Sequence, residues 1–488
     1  MRALPVKWSG IVVGLALTIS AAHAAEWSQW RGNDRNGLDA NSPPLVDSIP
    51  ETGLAPRWKS EPVASDGGWG SPVVANGRVY LFVHTKTKLG DEPIPPKKYP
   101  YLADDKRGNM TAEQYAEYEV KRREEDLERA KLFGFREAMY CLDAATGQTL
   151  WKNDRESVYS RFLQSGSPAV VDGKLFILGA GRVARCIDAE TGKDLWQTQI
   201  PGEFTDEYFA SSFAVADGVA AVLAGYLVGL DTQTGKILWQ GDASKMRGSH
   251  SSAVVWRSPA GNSMFIANVG GSSTVAVDPK TGNELWRVAT EANLSTPLIA
   301  GDRLITLGNS RRSGVRAFKL SETGAEHLWT YNGLGDKGSS PVVVGDYVYA
   351  QGEKRLACVE LATGKAAWMV TLDLANPQYT SLVAADGKVL YAYDGLLCFA
   401  ASPADFQPLM TAKFDKAGLM ATEAFFRERL KIAEVERETG GVEKAAKLLQ
   451  QEVNSQGPLA CSSPAIAGGK LYLRLRSSIA CYDLSEKP

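Results

Sequence analysis

Eight places in the sequence bring a side chain that can stack or hydrogen-bond to within two to four residues of a recurring Ser or Thr. Because the recurring residue repeats at similar intervals, we expect the eight places to meet around a common centre. Rings, amides, an imidazole and an ammonium group there suit a small planar molecule or an extended peptide. The alternative is that these side chains only plug and cap the centre. The candidate ligand-binding residues are Trp69, Gln164, Tyr208, His250, Asn293, Lys337 and Tyr379, and Phe209, Gln378 and Cys461 share these places.

The sequence lacks the usual signatures of zinc, hydrolytic and phosphate chemistry. It contains no His-Glu-x-x-His and no Cys-x-x-Cys spacing, which are the patterns that zinc sites use. No Gly-x-Ser-x-Gly nucleophile motif occurs. The pair Gly270–Gly271 stands in a hairpin pattern rather than before a helix, so phosphate binding is unsupported. A lone His250 near the centre is typical of a hydrogen-bonded structural residue.

Charge and composition exclude several classes of protein. The chain of 488 residues is 44% apolar and 23% charged, which is ordinary for a globular fold. Its 54 Lys and Arg nearly balance 56 Asp and Glu. A balanced charge gives no basic surface for nucleic acid or an anionic membrane. We therefore expect a protein partner or a small molecule, and a monomer.

Residues 1–24 have the pattern of a secretory signal. Arg2 and Lys7 precede a short apolar run, and Ala22-His23-Ala24 fits the small-x-small cleavage rule. No Cys follows the apolar run, and no other segment has 18 consecutive apolar residues. The sequence thus predicts a periplasmic or secreted protein without a lipid anchor or an integral membrane segment.

A phrase of nine residues recurs with a period near 43. Asp-x-x-Thr-Gly-x-x-Leu-Trp ends at Trp151, Trp196, Trp239 and Trp286, and looser copies end at Trp329 and Trp368. The spacings between successive Trp residues are 45, 43, 47, 43 and 39. Such a period suits a unit of four short strands, A to D, with the Trp on strand D.

A second phrase opens strand A of each unit, and it occurs eight times. It is a Ser or Thr, often followed by Pro, then apolar residues and a tight turn such as Asp-Gly. The last unit ends before its strand D, and residues 56–58, Pro-Arg-Trp, match that strand. We predict an all-β, eight-bladed β-propeller of four-stranded blades over residues 25–488, closed by this N-terminal strand. The eight opening residues are Ser71, Ser167, Ser212, Ser252, Thr296, Ser340, Ser381 and Ser463.

Five of the six cysteines occupy one equivalent position on strand C, where other copies carry Gly229, Ala276 and Ala317. A small buried residue, rather than a disulfide, is the simplest interpretation. The five are Cys141, Cys186, Cys358, Cys398 and Cys481.

Two insertions, residues 85–136 and 415–457, break the period. The first predicts a helix over residues 112–132, with a Thr111–Gln114 capping box and a thin apolar stripe. Its charged run, residues 121–129, is typical of a solvated face. The second predicts helices over residues 422–438 and 442–452, with Phe426, Leu430 and Ala433 on the buried face. B–C and D–A connections leave a blade on the same side, so both insertions should lie on one face of the propeller. The apolar stripe consists of Ala116, Val120, Leu127 and Ala130.

The Asp-x-x-Thr-Gly-x-x-Leu-Trp phrase resembles the tryptophan-docking motif of pyrroloquinoline-quinone (PQQ)-type propellers. The opening Trp27-Ser-Gln-Trp30-Arg-Gly-Asn-Asp-Arg-Asn-Gly37 resembles that of secreted bacterial PQQ-like repeat proteins. The resemblance implies either a quinoprotein dehydrogenase or a scaffold similar to the propeller of the outer-membrane β-barrel assembly machinery. A dehydrogenase would need PQQ, calcium ligands and a base. This chain has no adjacent Cys pair, which the alcohol-dehydrogenase branch uses. Its nearest carboxylates stand off the candidate positions, at Asp66, Asp206, Glu207, Glu291 and Asp336.

Three functions remain open from the sequence. The leading hypothesis is an exported non-catalytic propeller, without a cofactor, that binds a protein partner or small ligand on the insertion-bearing face. The alternative is an alcohol or sugar dehydrogenase dependent on PQQ and calcium. A periplasmic sugar or polymer binder would use the same aromatic residues. Carboxylates converging on the channel would favour the enzyme, whereas a channel plugged by Tyr208, Phe209 and Tyr379 would favour the scaffold.

Overall fold

The computed structural model describes residues 26–63, 67–202, 208–373, 379–459 and 461–486. The predicted signal segment, residues 1–24, lies outside the described residues. So do three of the candidates discussed above, Gln378, Asp206 and Glu207, together with Asp66.

In this part of the chain, 35 strands form eight sheets, and the prediction of an eight-bladed β-propeller is confirmed. Two short strands, β1 (Leu38–Asp39) and β2 (Trp58–Lys59), precede the first blade. Blades 1 to 4 contain β3 (Val73–Ala75), β4 (Arg78–Lys88), β5 (Phe133–Asp143) and β6 (Thr149–Glu156); β7 (Ala169–Val171), β8 (Lys174–Gly179), β9 (Val183–Asp188) and β10 (Asp194–Gln199); β11 (Ala214–Ala216), β12 (Val219–Leu223), β13 (Gly225–Asp231), β14 (Ile237–Gln240) and the extra β15 (Arg247–Gly248); and β16 (Val254–Arg257), β17 (Ser263–Val269), β18 (Ser273–Val277) and β19 (Glu284–Ala289).

Blades 5 to 8 repeat the pattern. They contain β20 (Leu298–Ala300), β21 (Arg303–Leu307), β22 (Val315–Ser321) and β23 (Gly324–Tyr331); β24 (Val342–Val344), β25 (Tyr347–Gly352), β26 (Arg355–Glu360) and β27 (Ala366–Thr371); β28 (Val383–Ala385), β29 (Lys388–Ala392), β30 (Leu396–Ala400), β31 (Pro408–Phe414) and the extra β32 (Met420–Ala421); and β33 (Ala465–Ala467), β34 (Lys470–Arg474) and β35 (Ile479–Asp483). Within each blade the strands follow chain order, and each pairs antiparallel with the next.

The N-terminal strand closes the ring, as the sequence predicts. Strand β2 pairs antiparallel with β35 and completes blade 8, with Trp58 opposite Cys481. The Trp58 indole N–H donates a 3.0 Å hydrogen bond to the carbonyl of Ala144 in blade 1. One short strand therefore joins the two ends of the chain to each other and the last blade to the first.

The tryptophans explain the small residues on strand C. In every blade with a strand-D Trp, that Trp faces the small residue, for example Cys141 opposite Trp151 and Gly229 opposite Trp239. A Cβ on Gly229 would lie 2.2 Å from the Trp239 ring. The five strand-C cysteines are buried and unbridged, which confirms them as small core residues.

The same ring packs on the next blade. Trp58 lies where a Cβ on Gly147 would be, at 2.4 Å, and Gly147 has a positive φ of 74° that favours glycine. The Thr-Gly turn of one blade is thus the seat for the Trp of the blade before it, and this interlock repeats around the ring.

Four helices lie in the two insertions of the described chain: α1 (Ala112–Ala130), α2 (Glu423–Arg429), α3 (Ile432–Glu436) and α4 (Gly441–Leu449). Helix α4 continues as a π-helical turn, Gln450–Asn454, and 3₁₀ turns occur at Asp104–Lys106 and Ala180–Arg182. The Thr111–Gln114 capping box of α1 is confirmed. None of the helices in the described residues has the length and apolar character needed to cross a membrane.

Helix α1 turns its charged face inward, contrary to the solvated face expected for residues 121–129. Arg122 is 2% exposed and binds Glu119 and Asp126 at 2.9 Å. The helix rests on a polar loop, whose Lys98 N–H donates to Glu125, so its polar side is the side that finds partners. The apolar stripe therefore faces solvent, with Val120 53% exposed.

The first predicted helix of the second insertion is two helices. Lys431 adopts a left-handed conformation, with φ of 52°, and separates α2 from α3. Phe426 is buried as predicted, and Leu430 is partly buried. Ala433 is exposed and Ile432 is buried in its place, because the break shifts the helical register by one residue.

Candidate functional site

The recurring Ser or Thr that opens strand A forms a belt of hydroxyls around the channel. Its backbone N–H donates to the hydroxyl oxygen of the same residue in the next blade, as from Ser71 to Ser167 at 2.9 Å and from Ser167 to Ser212 at 3.0 Å. Among the described residues, seven hydrogen bonds of this kind, 2.9 to 3.1 Å long, link neighbouring blades. The hydroxyl of Ser463 also accepts the Trp30 indole N–H at 3.2 Å.

Residues 27–37, which we call the plug segment, cross the channel below this belt. Backbone hydrogen bonds tie the segment to innermost strands on several sides of the ring: Trp27 pairs with Val74, Ser28 O accepts the Val170 N–H, and Gly37 O accepts the Ala384 N–H. The sequence predicts a plug made of Tyr208, Phe209 and Tyr379, but the N-terminal segment does this work instead. Its sequence signal was two arginines between Trp27 and Gly37, outside any repeat.

Two buried arginines hold the plug segment in place. Arg35 is 1% exposed and donates to the carbonyls of Ser212, Ala253 and Phe213 and to the side chain of Gln29. Burial lowers the pKa of Arg35 to about 9, so its guanidinium remains charged at neutral pH. The planar fork of Arg suits several carbonyls at once.

Arg31 is fully buried and donates to the carbonyls of Asn36 and Pro341. Burial, and then repulsion from Arg35, lower its pKa to about 9. The two side chains bridge the plug segment to blades 3, 4 and 6, so they fix it across the whole width of the channel.

A cavity of about 300 Å³ lies above the plug segment, at the channel mouth. Its wall follows one rule: the residue two positions before each belt Ser or Thr lines it, in all eight blades. Because side chains alternate along an extended chain, these residues point the same way as the belt hydroxyls. Trp30, Phe162 and Tyr208 complete the lining, with the belt hydroxyls of Ser71, Ser167, Ser212 and Ser252. The eight wall residues are Trp69, Ser165, Ala210, His250, Leu294, Gly338, Tyr379 and Cys461.

This rule sorts the predicted site residues. Trp69, Tyr208, His250 and Tyr379 line the cavity. Gln164 is fully buried behind the wall, where its side chain donates to the Leu178 carbonyl.

Three further candidates lie away from the cavity. Asn293 and Lys337 are exposed and stand three positions before the belt residue rather than two. Phe209 is buried in the core between blades, against Arg182. Sequence reasoning missed Ser165, Ala210, Leu294 and Gly338, which the alternation of side chains would have identified.

The aromatic side chains form a cluster on one side of the cavity. The Tyr208 ring lies 5.0 Å from His250, 5.5 Å from Phe162 and 6.2 Å from Trp69, measured between centroids, at steep angles of 64°, 73° and 88°. Rings that meet edge to face leave faces free for a ligand. On the other side, the Tyr379 ring occupies the space that a Cβ on Gly338 would take, at 2.4 Å.

The titratable groups of the wall are neutral at neutral pH. Burial lowers the pKa of His250 to about 4, and its Nδ1 lies 2.6 Å from the Ser249 hydroxyl. Burial raises the pKa of Cys461 to about 12 and raises that of Tyr208 and Tyr379. The described lining thus offers hydroxyls, an imidazole and ring faces without a formal charge.

These donors do not fit PQQ with calcium. Calcium takes several oxygen ligands that include carboxylates, and the described lining contains none. Asp336 is buried but accepts the N–H groups of Gly338 and Ser339, and Glu291 pairs with Arg316 at 2.9 Å. No cluster of three or more His, Cys, Asp or Glu that could hold a metal occurs among the described residues.

Comparison with known proteins places the chain among related propellers. A family model described as "Outer membrane protein assembly factor BamB" matches residues 224–405. No curated protein sequence matches the chain. Three solved structures are similar in fold: the quinohemoprotein alcohol dehydrogenase ADHIIG from Pseudomonas putida HK5, a europium-containing methanol dehydrogenase, and BamB from Moraxella catarrhalis.

At 12–13% identity, these likenesses show the fold alone. The ADHIIG structure has a TM-score of 0.56, with 13% identity over 95% of this chain and 81% of that one. The methanol dehydrogenase has a TM-score of 0.54, with 12% identity over 79% and 85%. BamB has a TM-score of 0.47, with 13% identity over 70% and 88%. By its repeated phrases, its eight interlocked blades and these relatives, the chain is a PQQ-like β-propeller.

Proposed function

We propose that this protein is an exported, non-catalytic propeller that binds a small uncharged ligand in the cavity on the insertion-bearing face. One observation carries the proposal: a cavity of about 300 Å³, walled by aromatic rings and floored by hydroxyls, has no charged side chain in its described lining. A neutral ligand with flat faces fits such a lining, because it loses little solvation and gains stacking and hydrogen bonds. Export rests on the predicted signal at residues 1–24.

The position of the cavity supports binding. The plug segment separates it from a second cavity on the opposite side, of about 420 Å³, to which Asn33, Asp34 and Arg35 contribute. A ligand therefore enters only from the face that carries both insertions. Loops on a rigid scaffold are a common location for recognition. The dehydrogenase alternative has no support from the described donors, although two structures of similar fold are dehydrogenases by name.

Tryptophan fluorescence tests the proposal, since Trp30 and Trp69 both line the cavity. The purified mature protein would be titrated with neutral probes, namely monosaccharides and N-acetyltryptophanamide, and separately with PQQ plus Ca²⁺. We expect saturable quenching by at least one neutral probe, and its loss in Ala210→Phe, which fills the cavity. Leu195→Phe, at a 47% exposed position on the rim, is the matched control. Binding of PQQ plus Ca²⁺ but of no neutral probe would overturn the proposal.

A further inference from the structure

We propose that the ligand is a neutral oligosaccharide, with one sugar unit in the cavity and the following units over Phe162 and Tyr101 towards the first insertion. This inference rests on the proposed function and adds to it the ligand class and the direction in which the ligand extends. It is carried by the chemistry of the cavity and by a row of exposed rings that leads out of it.

The cavity offers both halves of what a sugar ring needs. A sugar has apolar C–H faces and an edge of hydroxyls that donate and accept. Trp69, Tyr208 and Tyr379 supply ring faces for the apolar side. The belt hydroxyls of Ser71 and Ser167 accept a backbone N–H, so the proton of each hydroxyl remains for a ligand oxygen.

Neutral His250 adds a hydrogen-bonding group at the wall. Because its Nδ1 is engaged by Ser249, its Nε2 is the nitrogen that can reach a ligand. At pH 7 the imidazole is uncharged, since burial holds its pKa near 4. An uncharged polar group of this kind matches an uncharged hydroxyl-rich ligand.

A row of rings continues from the cavity to the insertion. Phe162 is 47% exposed and lies 5.5 Å from Tyr208. The Arg161 guanidinium lies 5.3 Å from the Phe162 centroid and 5.9 Å from that of Tyr101, which is 60% exposed. Large exposed rings that line up with a cavity are unusual on a protein surface without a ligand. The row is longer than one sugar unit, so it favours a chain of units over a monosaccharide.

A peptide fits this surface less well than a sugar. An extended peptide is bound chiefly through strand edges that pair with its backbone. The plug segment already pairs with the inner edges at Val74, Val170 and Ala384, below the cavity. The lining above it presents rings and hydroxyls instead. Arg161 does not require an acidic ligand, because Glu119 of α1 lies near it and, while its pKa is lowered chiefly by Arg122, is lowered further by Arg161.

Calorimetric titration of the purified mature protein tests the inference. The probes are cello-, malto- and chito-oligosaccharides of one to six units. In the series that binds, we expect affinity to rise with length before it levels off. Tyr101→Ala and Phe162→Ala should each weaken the hexamer about tenfold, the loss expected for one stacking contact, and leave the monosaccharide unchanged. Trp69→Ala should weaken both.

Leu89→Ala is the control, since Leu89 is an apolar side chain of the same insertion, 56% exposed, outside the row. If a sugar binds without dependence on length, or if Tyr101→Ala and Phe162→Ala leave the hexamer unchanged, the inference is overturned and the proposed function stands. If only N-acetyltryptophanamide or an aromatic peptide binds, the sugar assignment is again overturned. If no neutral probe binds, the proposed function fails as well.

Discussion

The hydroxyl of Ser167 shows what the belt contributes at the scale of a residue. It accepts the Ser71 N–H, which is buried. Ser167→Ala should leave that N–H without a partner and cost about 1–3 kcal/mol of unfolding free energy. Ser167→Thr keeps the oxygen and should cost much less, because blade 5 carries Thr296 at the same position. Denaturant unfolding of both variants checks this, and equal losses would refute the role of the hydroxyl.

Single residues were predictable from sequence where their size is set by a repeated neighbour. The strand-C position is small in every copy because a Trp lies opposite, so Cys141 and Gly229 follow from the repeat alone. The cavity wall was less accessible. Trp69 and His250 stand two positions before a belt residue and Gln164 stands three, and only the alternation of side chains along the chain separates inward from buried.

At the scale of an element, the plug segment depends on the shape of its guanidinium groups as well as on their charge. Arg35→Lys keeps the charge but cannot reach several carbonyls in one plane, so we expect a loss of about 2–4 kcal/mol in the anchoring of the segment. The Val170 N–H, which donates to Ser28 at 2.8 Å, should then exchange faster with deuterium. Amides of β21, which does not touch the segment through a hydrogen bond described above, serve as the reference. Unchanged exchange at Val170 would show that charge alone suffices.

The insertions show where sequence patterns of an element fail. The capping box of α1 is local, and Thr111 and Gln114 predicted its start correctly. Which side of the helix packs depends on the loop beneath it, and a polar loop buries Arg122 while Val120 stays exposed. The break at Lys431 is likewise invisible to periodicity, because a single left-handed residue changes the register without changing the composition.

At the scale of the whole molecule, closure by β2 should determine the stability of the ring. The Arg57 N–H donates to the Cys481 carbonyl at 2.8 Å. Arg57→Pro removes this donor and should cost about 3 kcal/mol or more. Arg57→Ala only removes the exposed pair with Asp483, worth at most about 1 kcal/mol. Thermal unfolding compares the two, and similar melting temperatures would argue against closure by this strand.

The hydroxyl belt has a consequence for how such a ring can change its number of units. Each blade supplies one donor and one acceptor of identical type, and the bonds run head to tail in one sense around the circle. A unit that is duplicated, lost or exchanged therefore brings its own complete connection, and its new neighbours need no compensating substitution. Wall residues two positions away are free to differ, as Trp69, Ala210 and Gly338 do. The scaffold can thus be copied while its specificity drifts.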